Sequence, residues 1–133
     1  MNKTWKPPSK GAERVFKALK LLGHFTIIPE KHIGHLLKLD FYLPELRWGI
    51  EVQGVQHDTY NSFFYNNEDE FRDAQKRDKR KREMCVGEGV VYIALDYKHI
   101  MRSKSPQELL DLIARKAQEE TKNQDATQEE DEW

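Results

Sequence analysis

The sequence predicts an α/β domain: a small mixed four-stranded sheet flanked by helices. Three observations carry this. Two runs of alternating apolar residues, 37–43 and 48–52, read as strands joined by a short turn at Pro44 and Glu45. A near-continuous apolar run, Val90, Val91, Ile93 and Leu95, reads as a strand covered on both faces. Between them, residues 68–86 are highly charged and free of Gly and Pro, as suits a long helix.

The elements follow in order. Residues 1–8, with Pro7 and Pro8, form an extended arm whose Trp5 docks on the body. Ser9 caps a helix in which Ala12, Val15, Phe16, Leu19 and Leu22 recur at helical spacing, ending at Gly23. Glu13 lies in its first turn, where it suits the helix dipole or serves a nearby site. Residues 25–28 read as a short strand, followed by the loop PEKHIGH with His32 and His35. Without a third ligand nearby, these histidines read as loop residues or phosphate contacts rather than a zinc site.

Past the two central strands and Gly54 comes a polar-aromatic segment with Tyr60, Phe63, Phe64 and Tyr65, read as packing over a sheet edge. On the following helix, Phe71, Ala74, Gln75, Asp78 and Arg82 mark one face. Residues 97–104 read as a loop. Ser105, Pro106 and Glu108 then form a helix start with a capping box, and Leu109, Leu110, Leu112 and Ile113 supply a buried face.

A single domain is expected over residues 9–120, with 121–133 an acidic, disordered tail. The chain has 133 residues, 38% of them hydrophobic and 34% charged, and a net charge of -1. That total hides an asymmetry: without the five acids and one lysine of 121–133, basic residues outnumber acidic ones by three. Cys85 is the only cysteine, which excludes an intramolecular disulfide and a Cys-rich zinc site. No apolar run approaches a membrane span, and the first residues lack the apolar stretch of a signal peptide. The expectation is a cytoplasmic protein with no membrane partner.

Period-two alternation puts Leu37, Leu39, Phe41 and Leu43 on one face and Asp40 on the other. On the next strand Glu51 and Gln53 point away from Ile50 and Val52. If the two strands pair, Asp40, Glu51 and Gln53 gather on one side. Carboxylates held together repel unless a cation or proton sits between them, so this is the candidate metal site. The backbone carbonyl of Val52 is a further oxygen at the strand end, and Glu13 is placed to orient a metal-bound water. Each residue also has an ordinary reading. Asp40 could pair with Lys38 or Arg47, Glu51 with a helix lysine, and His57 could cap a turn. The helix carries six basic residues, Lys76, Arg77, Lys79, Arg80, Lys81 and Arg82, around one Asp78. Such a run is costly unless an anion faces it, so phosphate binding is expected.

The pattern DFYLPELRWGIEVQGVQH, then F-R-D-x-x-x-R-D-K-x-K-x-x-x-C, then an apolar strand, resembles the PD-(D/E)XK restriction-endonuclease-like superfamily. It is most similar to the small phage and bacterial branch that shares features with very-short-patch repair and some homing endonucleases. Glu13, Asp40, Glu51, Gly54, His57, Asp78 and Lys81 fall on the family's positions. The resemblance implies a restriction-endonuclease-like core and a DNA endonuclease using Mg2+ or Mn2+, with Asp40 and Glu51 as ligands. It also implies 5′-phosphate products and His57 near the attacking water or the phosphate. Members are often dimers, and a homodimer or a protein partner would supply specificity. One departure matters: Gln53 stands where the family has lysine, and an amide cannot supply its charge. His57, Lys76 or Lys79 would have to replace it. Two other readings remain open: a catalytically inactive nucleic-acid-binding module, or an interaction or inhibitory domain using the acidic tail.

Overall fold

The structure, a computed structural model, describes residues 5–34, 37–53 and 68–131, with the side chains of 125–131 left aside. The element order is α1 (Lys10–Lys20), β1 (Ile28–Ile33), β2 (Leu37–Leu43), β3 (Trp48–Gln53), α2 (Glu68–Gly87), β4 (Val91–Asp96), α3 (Tyr97–Arg102) and α4 (Pro106–Asp131). The expected mixed sheet is present, in the order β1-β2-β3-β4. β1, β2 and β3 are antiparallel neighbours, and β4 lies parallel to β3. Parallel neighbours need a long crossover, and residues 54–90, with α2, provide it.

Local chemistry accounts for each start and stop. Ser9 Oγ accepts the Ala12 N–H at 3.1 Å and opens α1, as expected. Gly23 follows the helix with φ +78, a conformation that suits glycine. Ser105 Oγ accepts the Glu108 N–H at 3.1 Å, while Glu108 reaches back to the Lys104 N–H at 3.4 Å.

Helices cover both faces of the sheet. On one, Ala12, Val15 and Leu19 of α1, Ile100 of α3 and Leu109 and Ile113 of α4 pack on Phe41, Leu43, Ile50, Ile93 and Leu95. On the other, Cys85 of α2 packs with Ile33, Leu37, Leu39, Val90 and Tyr92. Tyr92 and Ile93 enter different clusters, as expected for a strand buried on both sides. Trp5 docks edge-on against Phe16 and Phe41, with ring centres 5.0 and 5.9 Å apart.

Several expectations need correction. The strand placed at 25–28 lies instead at Ile28–Ile33, so His32 belongs to a strand and not to a loop. Antiparallel pairing with β2 overrides the local Pro and Gly signals, and Pro29 is tolerated because β1 is an edge strand. Leu37 and Leu39 do not share a cluster with Phe41 and Leu43. Leu39 packs over Gly49, where its Cδ1 lies 2.8 Å from the position of an added Cβ. Residues 97–102 form a helix rather than a loop, because the Asp96 side chain caps it by accepting the Lys98 N–H. The tail expected to be disordered continues α4 to Asp131; no Gly or Pro interrupts it. Among the described residues, no helix is long and apolar enough to cross a membrane. The readings of His35, Gly54, His57 and the aromatic segment around residues 60–65 lie outside the described residues.

Gly49→Ala should lower stability by about 1–3 kcal/mol in urea unfolding, because the methyl group displaces Leu39. Combined with Leu39→Ala, the loss should fall well short of the sum of the two. Strict additivity would mean that Leu39 does not occupy the space above Gly49.

Candidate functional site

The site forms where the pairing of β2 with β3 stops. Their last paired residues are Phe41 and Ile50. Beyond this point the Asp40 side chain replaces the ladder: its Oδ2 accepts the Val52 N–H at 2.7 Å. Glu30 stands opposite Asp40 on β1, between the pairs Pro29 with Phe41 and Lys31 with Leu39. Its φ of +53 is a left-handed conformation rarely adopted by a non-glycine residue. The Glu30 carboxylate pairs with Lys38 at 3.1 Å. Lys38 thus forms its ion pair with Glu30, though its charge still acts on Asp40, and Arg47 donates instead to the Glu88 carbonyl at 2.7 Å.

Glu51 lies on β3 and meets a lysine of α2. Lys81 Nζ is 3.0 Å from Glu51 Oε1, with the two side chains only 12% and 13% exposed. The Lys17–Glu13 pair, by comparison, is 62% and 49% exposed. A buried pair is far less screened by water than a surface one. The second oxygen, Glu51 Oε2, is buried and has no hydrogen-bond partner among the described residues. The Tyr92 hydroxyl is also buried without a partner.

The electrostatics follow. The Glu51 carboxyl is raised from 4.5 to about 7, by burial first and the Asp40 charge next, with Lys81 offsetting them only in part. Asp40 is also raised, by burial, against the Val52 hydrogen bond and the charges of Lys81 and Lys38. The Tyr92 hydroxyl is raised by burial and then by Glu51. Two desolvated carboxylates facing one ammonium lack a positive charge, and a shared proton or a metal cation would supply it.

The donor set fits a hard cation. Carboxylate and carbonyl oxygens suit Mg2+ or Mn2+, and Glu51 Oε2 is an acceptor with no donor among the described residues. Among the described residues no three His, Cys, Asp or Glu side chains cluster to hold a metal. A cation here would rest on Asp40, Glu51 and a backbone oxygen such as the Val52 carbonyl, with its remaining positions open.

The other residues singled out in the sequence are distributed as follows. Gln53 is half-buried at the end of β3, in register with Asp96. Glu13 is exposed and pairs with Lys17 at 3.1 Å. It is not among the charges acting on either carboxylate, which are Lys81, Lys38, Glu30 and Asp78 besides the pair itself. The water-orienting role expected of Glu13 therefore has no support in this geometry.

The basic run also divides differently from the expectation. Lys81 turns inward onto Glu51, and Arg82 pairs with Glu120 of α4 at 2.8 Å. Lys79 lies 3.9 Å from Glu83. Lys76, Arg77 and Arg80 are exposed. The lysine beside the carboxylates is thus Lys81, not Lys76 or Lys79. Helix spacing contained the signal: Asp78, Lys81 and Cys85 recur at intervals of three and four, and Cys85 is fully buried. The inner face turns toward Lys81, leaving Gln75 and Arg82 outside.

Comparison with known proteins adds two viral relatives. The chain is 39% identical over 64 residues to the uncharacterized protein 033L of Invertebrate iridescent virus 3, covering 48% of this chain and 33% of that protein. It is likewise 39% identical over 61 residues to the uncharacterized protein 307L of Invertebrate iridescent virus 6, covering 46% and 31%. The matches thus span about a third of the relatives' length. No family model matches, and no solved structure matches.

Without metal, the elevated Glu51 pKa makes the fold keep its proton longer than the unfolded chain does. Its contribution to stability is complete below about pH 4.5 and lost as pH rises through about 7. In urea unfolding with chelator, wild type should lose roughly 1–3 kcal/mol across that window relative to Glu51→Gln. Parallel profiles for the two proteins would contradict this electrostatic picture.

Proposed function

We propose that this chain is a metal-dependent DNA endonuclease with a restriction-endonuclease-like core. The observation that carries the reading is the set of Asp40, Glu51 and Lys81, drawn from two strands and a helix, with Glu51 Oε2 unpartnered among the described residues. Support also comes from the motif order of the sequence, in which these three residues fall on the positions of that superfamily. Gln53 is the departure from the pattern, and Lys81 answers it by bringing the missing positive charge from α2.

The chemistry divides among the residues. Asp40 and Glu51 would hold one or more Mg2+ or Mn2+ ions, assisted by the Val52 carbonyl. A bound ion supplies a more acidic water and neutralises charge at the phosphorus. Asp40 is fixed by its bond from the Val52 N–H, so its carboxylate keeps one orientation. Lys81 holds Glu51 by one oxygen and places an ammonium beside the reacting phosphate, where charge develops during attack. The exposed Lys76, Arg77 and Arg80 are suited to flanking phosphates, which fix position without reading sequence. On the family resemblance alone, His57 would act near the attacking water or the phosphate.

The test is a set of labelled DNA substrates (duplex, mismatch, junction and single strand) incubated with Mg2+ or Mn2+. Asp40→Ala and Glu51→Ala should abolish cleavage while their circular dichroism stays that of wild type. Lys81→Met should lower the rate by about 10²–10³-fold. Adding Gln53→Lys to Lys81→Met should recover part of it. Unchanged cleavage in both carboxylate variants would end the proposal. Binding without cleavage under either metal would favour a non-catalytic nucleic-acid-binding module.

A further inference from the structure

A second concentration of charge lies away from the carboxylates. Between α3 and α4 runs a groove of about 250 Å³, with His99, Arg102, Arg115 and Lys116 along it. Glu108 is the one acid lining it, and its carboxylate accepts the Lys104 N–H at the start of α4. None of Arg102, Arg115 and Lys116 forms an ion pair among the described residues. Elsewhere, many cations have internal work: Lys81 holds Glu51, Arg82 holds Glu120, and Lys38 holds Glu30.

Helix-end chemistry does not explain the groove. The carbonyls at the end of α3 already have a cation, because Arg14 donates to Met101 at 3.1 Å and reaches those of Ile100 and Ser103. His99 and Arg102 are surplus to that need. On α4, Arg115 and Lys116 follow Glu108 and Leu112 along one face, so the charges line up on the groove side. A second hollow of about 140 Å³ shares the Ser103 wall and adds Lys17 and Lys104. The two hollows adjoin at Ser103; Lys17 is paired with Glu13, so Lys104 is the cation that extends the band beyond the groove.

We infer that this α3–α4 band is a phosphate-backbone-binding surface for nucleic acid, distinct from the exposed cations of α2. The band leads from the same end of the sheet as the proposed site: α3 begins directly after Asp96, the register partner of Gln53. At that junction Gly11, Tyr97 and Val52 pack closely. A membrane surface fits less well, because Leu21 is the one exposed large apolar side chain among the described residues and lies on another element. The choice of nucleic acid among polyanions rests on the proposed phosphodiester chemistry; the charge of the band does not.

The test measures binding of a labelled duplex and a labelled single strand by anisotropy in chelator, across a salt series. Arg102→Ala/Arg115→Ala should bind at least one of them roughly tenfold more weakly at low salt. Its slope of log affinity against log salt should be shallower by about 2. The control Lys31→Ala/Lys122→Ala, which removes the same charge elsewhere, should change neither comparably. Urea unfolding confirms that both variants fold. Unaltered binding in the groove variant, or an equal loss in the control, overturns the inference. So does wild type binding neither nucleic acid, or binding poly-glutamate equally well through the same two arginines. If groove-dependent binding survives but wild type cuts nothing with Mg2+ or Mn2+, the hydrolysis reading fails and the surface stands. If wild type cuts and the groove variant binds normally, the reverse holds.

Discussion

A half-buried carboxylate pair, with one ammonium bound to its Glu51 member, is the constraint from which the rest of this structure can be understood. Removing Asp40 and Glu51 from water is expensive, and Lys81 returns only part of that cost. The Glu51 carboxyl at about 7 shows the outcome: in the absence of another cation, the site is close to holding a proton at neutral pH. A fold under selection for stability alone would do better with apolar residues there. The chain instead interrupts its own β2–β3 ladder at this place and substitutes a side-chain bond from Asp40 for a backbone one.

The surrounding elements hold that arrangement in position. β4 pairs with β3 on the side away from β2 and fixes Glu51 against Ala94. α2 buries few residues of its own; Cys85 is its anchor on the sheet. Arg82 clasps Glu120 of α4 at 2.8 Å, so the neighbour of Lys81 ties α2 to the opposite helical layer. Gln124 of α4 adds a bond to the Val90 carbonyl at 3.4 Å. These contacts link α2 and β4 to α4.

Much of this could be read from the sequence, for identifiable reasons. β2, β3 and α1 announce themselves through alternation, a serine cap and a glycine stop, all local signals. Periodicity drew attention to Asp40 and Glu51, although the alternation of β2 does not persist across Asp40: Leu37 and Leu39 pack in a different cluster from Phe41 and Leu43. β1 was misplaced because Pro29 and Gly34 look like loop residues, while the force that makes a strand there is pairing with β2. α3 was hidden because Asp96 reads as a strand end and acts as a cap. The division of labour in the basic run was the least visible. Charge counting treats Lys81 and Arg80 alike, and only packing of α2 against the sheet separates a buried partner of Glu51 from an exposed cation. The α3–α4 groove was missed for a similar reason: its cations are far apart in sequence and meet only when the helices pack.

The central proposal is that Asp40 and Glu51 bind a divalent cation, and Mn2+ binding followed by calorimetry tests it most directly. Titration of the metal-free chain at pH 7 should show saturable binding that Glu51→Gln abolishes. Because Glu51 titrates at about 7, binding there should release a fraction of a proton, seen as a dependence on buffer ionisation heat that fades toward pH 8.5. Absence of binding in the wild type, or binding that Glu51→Gln leaves intact, would contradict the account.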